Sequence, residues 1–268
     1  DLLLVNSDGP DIRIVDYFET LHPVDLIAGN GATLRGATVS RLAGPEAPGA
    51  YAQVGGAVAT PIGQVETLSG AANVQRSDGT VEPLAIGVKV FRNDVVSTED
   101  ASSVSLTFVD GTIFTLAASS RMVLDELIYD ETSDENTATF SLVEGTFVFI
   151  AGQVARTGGM DVETPAATMG IRGTTMQFSL GLNNGIIQLQ AVLLNDFGTD
   201  ISGIVQAFDL DGNLIATIDT TDSTWVFTPA SDPVQVDGVQ FTLTESDAIA
   251  IAQDALQLAA SRAATGPL

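Results

Sequence analysis

A mainly β protein, built of antiparallel sandwich or jelly-roll-like modules with one C-terminal α-helix, is what this sequence predicts. Three observations carry that expectation. Apolar and polar residues alternate with a period of two, as where Val104, Leu106 and Phe108 are separated by Ser105 and Thr107, so one face is expected to be buried and the other wet. Four of the five Asp-Gly pairs, at Asp8-Gly9, Asp78-Gly79, Asp110-Gly111 and Asp211-Gly212, interrupt β-branched and aromatic runs as turns. Asp-Gly suits the tight turns that join hairpin strands. A helical period arises only near the end, where Thr244 and Asp247 form a capping-box pattern ahead of Asp247 to Ala263. There Ile249, Ala252, Leu256 and Ala259 lie on one side, joined by Ile251, Ala255 and Leu258, and Gly266-Pro267 ends the run.

In chain order, residues 1–42 read as a β-hairpin segment, with Leu2, Leu3, Leu4 and Val5 facing Ile12 to Val15 across an Asp-Gly turn. Residues 43–61 hold three prolines and four glycines without an apolar period and read as a linker. Residues 62–182 form the main β domain, 183–243 a second β unit, and 244–268 the helix and tail. Within the main domain, Met160 to Leu180 reads as strand, sharp loop, strand. Pro165 stops the first ladder, while Gly170 and Gly173 bracket Ile171-Arg172 where positive φ or close backbone approach is expected. Arg172, one of ten basic residues, is read as a guanidinium clamped onto carbonyls or a carboxylate, with an anion site as the sharper option. Phe147 to Ile150 is apolar throughout and belongs between layers or in a subunit contact.

The chain has 268 residues, 45% of them hydrophobic, which is ample for a core. Ten basic against 34 acidic residues give a net charge of −24, a field that repels nucleic-acid backbones and anionic lipid. Cysteine is absent, which removes disulfides, thiol catalysis and thiolate-bound zinc. No apolar run reaches the roughly 18 residues of a membrane helix. The first residues, Asp1 to Val5, show no basic leader, which leaves a removed signal peptide, a start within a longer protein or another export route equally open.

Residues Thr164-Pro165-Ala166-Ala167-Thr168-Met169-Gly170-Ile171-Arg172-Gly173-Thr174 resemble the closing motif of FecR-type domains, named after the iron-citrate regulator. Asn93 to Thr98 and Ser103 to Thr112 are similar to that domain's opening, and Leu142 to Phe149 to its middle strand pair. The resemblance covers about residues 61 to 182. Asn93 and Glu99 stand where the family usually has glycine, so those turns are expected to differ. It implies a β domain of the kind found in periplasmic signal proteins and in secreted surface proteins. Residues 1–42 more weakly resemble the prefix regions of large bacterial biofilm adhesins exported by type I secretion.

No residue set points to catalysis. His22 is the single histidine, and no nucleophile elbow, zinc-helix motif or phosphate loop is present. Asp130, Glu131, Asp134 and Glu135 invite calcium, yet no spacing matches a calcium loop. Asp209 to Asn213 begins like an EF-hand, but Leu214 and Thr220 occupy the positions that need glycine and glutamate. No metal ligand set or cofactor is therefore assigned. Trp225 reads as a core anchor.

The favoured expectation is a non-catalytic extracellular or surface-associated bacterial protein acting in adhesion, a matrix or a filament. Its partners would be further copies of itself or other surface proteins, with Leu2 to Val5 as the strand donated between subunits. The alternative is a periplasmic FecR-like signal-transducing domain, and the third reading a carbohydrate-binding module.

Overall fold

The structure is a computed structural model, and it describes residues 2–4, 12–14, 17, 24–28, 31–43, 60–130, 132–133, 136–157, 159–194, 203–221, 223–229 and 231–237. The first elements are β1 (Leu2–Leu4), β2 (Ile12–Ile14), β3 (Leu26–Ile27), β4 (Thr33–Leu34) and the helix α1 (Gly36–Ala43). Next come β5 (Gly63–Ser69), β6 (Ala72–Gln75), β7 (Val81–Pro83), β8 (Lys89–Val90), β9 (Val95–Thr98), β10 (Ser103–Phe108) and β11 (Ile113–Leu116). The middle holds β12 (Arg121–Ile128), β13 (Thr137–Ile150), the short helix α2 (Gln153–Thr157), β14 (Met160–Glu163), β15 (Thr168–Arg172) and β16 (Thr175–Asn183). The last are β17 (Ile186–Leu194), β18 (Ile204–Phe208), β19 (Leu214–Ile218), β20 (Ser223–Thr228) and β21 (Ser231–Asp237).

Strands β5 to β21 join one seventeen-stranded hydrogen-bonded system that folds into two layers. The first layer runs β8, β5, β10, β11, β13, β16, β17, β20, β21, each antiparallel to the next. The second runs β7, β6, β9, β12, β13, β14, β15, β18, β19, with only the β13–β14 step parallel. The layers share β13, whose first half pairs with β12 and β14 and whose second half pairs with β11 and β16.

Gly145 marks the crossing, with φ of +105°. A Cβ there would stand 2.1 Å from the Ser120 Oγ and 2.5 Å from its Cα, so only glycine lets the strand turn from one layer into the other. Between the layers Phe108, Phe114, Phe140 and Phe149 interlock, three of their ring pairs at 4.9 Å between centroids. Phe147, Phe178 and Phe227 extend the same core.

The mainly β, antiparallel class expected from the alternation is the observed one. Three of the Asp-Gly pairs sit at the tips of the β6–β7, β10–β11 and β18–β19 hairpins. Asp8-Gly9 lies outside the described residues, although β1 and β2 on either side of it pair with each other. The C-terminal helix, Val5, most of the linker and the strand at 239–243 also lie outside them.

Several expectations need correction. The opening segment is not purely β, because Gly36–Ala43 is helical. Thr168–Arg172, read as a loop, is strand β15, since β14 and β18 satisfy its backbone from both sides. The border expected at 182/183 falls in the β16–β17 hairpin, so strands from both sides of it share one layer.

The expected wet face of β10 is not wet. Ser105 and Thr107 are each 1% exposed, as buried as the core residues beside them. The same holds along the register row Ser105, Thr115, Val148, Gln177, Val192 and Thr224, which crosses the outer side of the first layer at 3% exposure or less.

Candidate functional site

The described part of the N-terminal segment docks onto the outer side of the second layer, over the Thr164-Pro165 motif. Its own fold comes first. A tight turn closes β3 onto β4 through Ala28 N–H to the Ala32 carbonyl at 2.8 Å and Gly31 N–H to the Ala28 carbonyl at 2.9 Å. Asp25 Oδ1 accepts the Gly36 N–H at 2.8 Å, satisfying one of the donors that the first turn of α1 leaves unpaired. Tyr17 and Val39 are buried in a small cluster with Ile14, Leu26 and Leu34, which fixes α1 against its hairpin.

Two backbone-scale contacts then seat this unit. The Thr33 N–H donates to the Pro165 carbonyl at 3.3 Å, and the Thr38 and Ser141 hydroxyls meet at 3.4 Å. Three ion pairs surround them. Arg35 meets Glu163 at 2.8 Å, Arg92 meets Glu126 at 2.8 Å, and Arg41 pairs with Asp125. Asp125 is available because the β12–β13 register shifts between Leu124 and Glu126, a bulge that takes it out of the ladder. The Arg92 Nε–H also donates to the Asp125 carbonyl at 3.2 Å.

A cavity of about 210 Å³ lies under α1, lined by Arg35, Arg41, Arg92, Asp125, Glu126 and Glu163 among others. Burial is the main force raising the Glu163 carboxyl above its usual range; the Arg35 charge opposes it and the Asp161 charge adds to it. Burial lowers the Arg41 guanidinium, and the neighbouring Arg92 charge lowers it further. Each carboxylate of the cavity lining has an arginine partner. What the arrangement can do is hold one piece of protein on another by paired charges.

The motif residues singled out by sequence are split by the structure. Thr164 closes the turn after β14: its hydroxyl oxygen accepts the Ala166 and Ala167 N–H groups at 3.2 and 3.0 Å and donates to the Ala167 carbonyl at 2.8 Å. Pro165 is buried under β4 and supplies the carbonyl taken by Thr33. At Gly170 a Cβ would lie 3.3 Å from the Phe208 ring, the close approach that glycine allows. Gly173 takes φ of +59° and its N–H donates to the Ala155 carbonyl at 3.1 Å. Thr174 is buried, and its carbonyl accepts the Ala151 N–H at 3.1 Å.

Arg172 departs from its expected part as a clamp. It is exposed at the end of β15, and no described carboxylate or carbonyl holds its guanidinium. The motif closes by Thr164 and by backbone, and Arg172 is left to face outward. Leu2 to Leu4, expected to be donated to a neighbour, pair with Ile14 to Ile12 of the same chain.

The other candidates resolve as follows. Asn93 adopts φ of +69°, a conformation that glycine and asparagine take more readily than other residues. Glu99 accepts the Asn73 side-chain N–H at 3.0 Å. Asp130 takes the Thr132 N–H and hydroxyl at 2.8 and 2.7 Å, while Glu131, Asp134 and Glu135 lie outside the described residues, as does His22. Among the described residues no group of three His, Cys, Asp or Glu is placed to hold a metal ion. Trp225 is half-buried against the core, its ring stacked on Phe227 with 6.3 Å between centroids. No described helix is long and apolar enough to cross a membrane.

Sequence reading did not single out α1, Arg35, Arg41, Arg92, Asp125 or Glu163. One signal was available: basic residues are so scarce here that every arginine has a surplus of carboxylate partners.

Residues 94–191, from the start of β9 into β17, match the family model described as FecR protein. The match begins and ends later than the stretch carrying the motif resemblance. No curated protein sequence matches the chain. Two crystal structures of a Parabacteroides distasonis protein assigned as an anti-sigma factor are similar to it. One shares 14% identity at a TM-score of 0.39, covering 61% of this chain and 74% of that one. The other shares 13% identity at 0.39, with 60% and 73% covered. The FecR match overturns the expectation of an adhesion, matrix or filament protein and favours the signal-transducing alternative.

Proposed function

We propose that this chain is a FecR-like signal-transducing protein whose β domain works through protein contacts and performs no catalysis. The observation that carries the reading is the FecR match over residues 94–191, which spans the shared strand β13 and the whole Thr164 to Thr174 motif. The site supports it. The motif region holds a protein segment through backbone hydrogen bonds and paired charges, and Arg172, the one basic residue of the motif, is exposed. A periplasmic setting and a receptor partner in the outer membrane follow from this reading.

Transcription tests it. Deleting the gene in the cells that make the protein should change expression of a defined regulon in response to an outside signal. Restoring the full chain should return the response. A transcriptome that does not change on deletion under any inducing condition overturns the proposal.

A further inference from the structure

The outer side of the first layer is covered, and the described elements do not cover it. The row from Ser105 to Thr224 is at most 3% exposed, and Ile113 and Thr175 in the adjoining row are at 1% and 0%. Val148 and Ala117 form a small cluster with Ile150 and Leu194 that is separate from the main core. Yet α1 packs against β12 of the second layer, and α2 against β13 and β15. The covered residues are small or flat: serine, threonine, valine, glutamine and isoleucine.

We propose that the segment after Asp237 is the occupant of this face, with the apolar stripe of the helix predicted for 247–263 seated on the row. Three features on different scales agree. The row crosses from β10 to β20, five interstrand steps of about 4.8 Å or roughly 24 Å, and a helix over 247–263 is about 25 Å long at 1.5 Å per residue. Asp237 ends β21, in register with Ser223 at one end of that row, and ten residues reach up to about 33 Å before the helix begins. The stripe facing the sheet, Ala252, Ala255, Leu256 and Ala259, is mostly alanine, which lets a helix approach a surface of short side chains closely. The segment 44–59 is the rival occupant; it holds prolines and glycines and has no apolar period to match the row.

Because the chain contains no cysteine, engineered pairs give an unambiguous answer. Full-length protein carrying Gln177→Cys together with Ala252→Cys, Ala255→Cys or Ala259→Cys is treated with a short bismaleimide and mapped by peptide mass spectrometry. At least one pair should bridge within the chain, at least tenfold faster than Gln177→Cys with Asp254→Cys on the opposite side of the helix. Three outcomes overturn the proposal: no bridge from any of the three positions, a bridge only between two chains, or a preferred bridge from Gln177→Cys to Ala50→Cys. A chain ended after Asp237 gives a second reading. It should take up an apolar dye severalfold more strongly than the full chain at equal circular dichroism, and unchanged uptake by a folded truncated chain overturns the inference.

Discussion

The two layers have the same alternation along their strands and opposite outer faces. In the first, the row Ser105, Thr115, Val148, Gln177, Val192 and Thr224 is buried. In the second, the matching row Thr139, Asp161, Gly170, Gln206 and Thr217 is largely open, with Asp161, Gln206 and Thr217 exposed. Alternation alone says which side chains enter the core. It says nothing about the fate of the other side, which depends on whether those residues can be buried cheaply. Valine can, because its side chain has no polar atom, and serine and threonine can where their hydroxyls pair locally, as when those of Ser105 and Thr115 meet at 2.9 Å. A face holding Asp161, with Glu163 and Arg172 in the rows on either side of it, cannot be sealed without pairing every charge.

The sharpest way to break that comparison is to put the same charge on both faces. Val192→Asp places an unpaired carboxylate in a covered row and should cost about 3–5 kcal/mol in urea unfolding. Gln206→Asp, on the open row, should stay within about 0.5 kcal/mol of the parent. Equal costs would mean that the first-layer face is not sealed in solution.

Next in size is the junction between the faces. Gly145→Ala forces a side chain into φ of +105° and against Ser120, and should cost about 2–4 kcal/mol. The loss should appear as one cooperative transition for both layers, because β13 belongs to each. Two separated transitions would show that the layers fold independently.

How far the residues alone foreshadow this depends on range. The Asp-Gly hairpins are local events decided by a few residues, and they are legible. The period of β15, with Met169 and Ile171 buried and Arg172 exposed, is harder to see, because Pro165 and two glycines obscure it and the stretch reads as a loop. Helix α1 is less legible, since its first-turn donor is satisfied by Asp25, eleven positions upstream across a hairpin. The site under it is illegible in one dimension. Arg41 and Asp125 meet only because a bulge in β12 turns a carboxylate outward, and bulges leave no compositional mark.

Titration separates the faces more gently. Glu163 sits under α1 with its carboxyl raised, chiefly by burial. A carboxyl raised on folding binds its proton more tightly in the native state, so its contribution to stability is complete below the unfolded value near 4.5 and is lost as pH rises through the higher folded value. Glu163→Gln should therefore flatten the decline of unfolding free energy above about pH 4.5, measured in urea across a pH series. Gln177→Glu on the covered face is the contrast: it should add a steeper decline of the same sign, because Gln177 is 3% exposed and no described arginine pairs there as Arg35 does with Glu163. Parallel slopes in parent and Glu163→Gln would remove Glu163 from the account.

The smallest expected effect on stability belongs to Arg172→Ala. Its guanidinium is exposed, and no described carboxylate or carbonyl holds it, so the unfolding free energy should move by no more than about 0.5 kcal/mol. That small cost makes it informative about function. A sheet face kept wet by charge has been left uncovered at the expense of apolar burial it could have gained, and the neighbouring layer shows that this fold can cover a face. If the relay works through the open face, the transcriptional response should fall severalfold in Arg172→Ala while protein level and stability hold. Arg172→Lys, which keeps the charge but loses the two-pronged donor, should recover part of it. A response left intact by Arg172→Ala, in cells where deletion of the gene abolishes it, would move the contact off β15 and onto another part of the molecule.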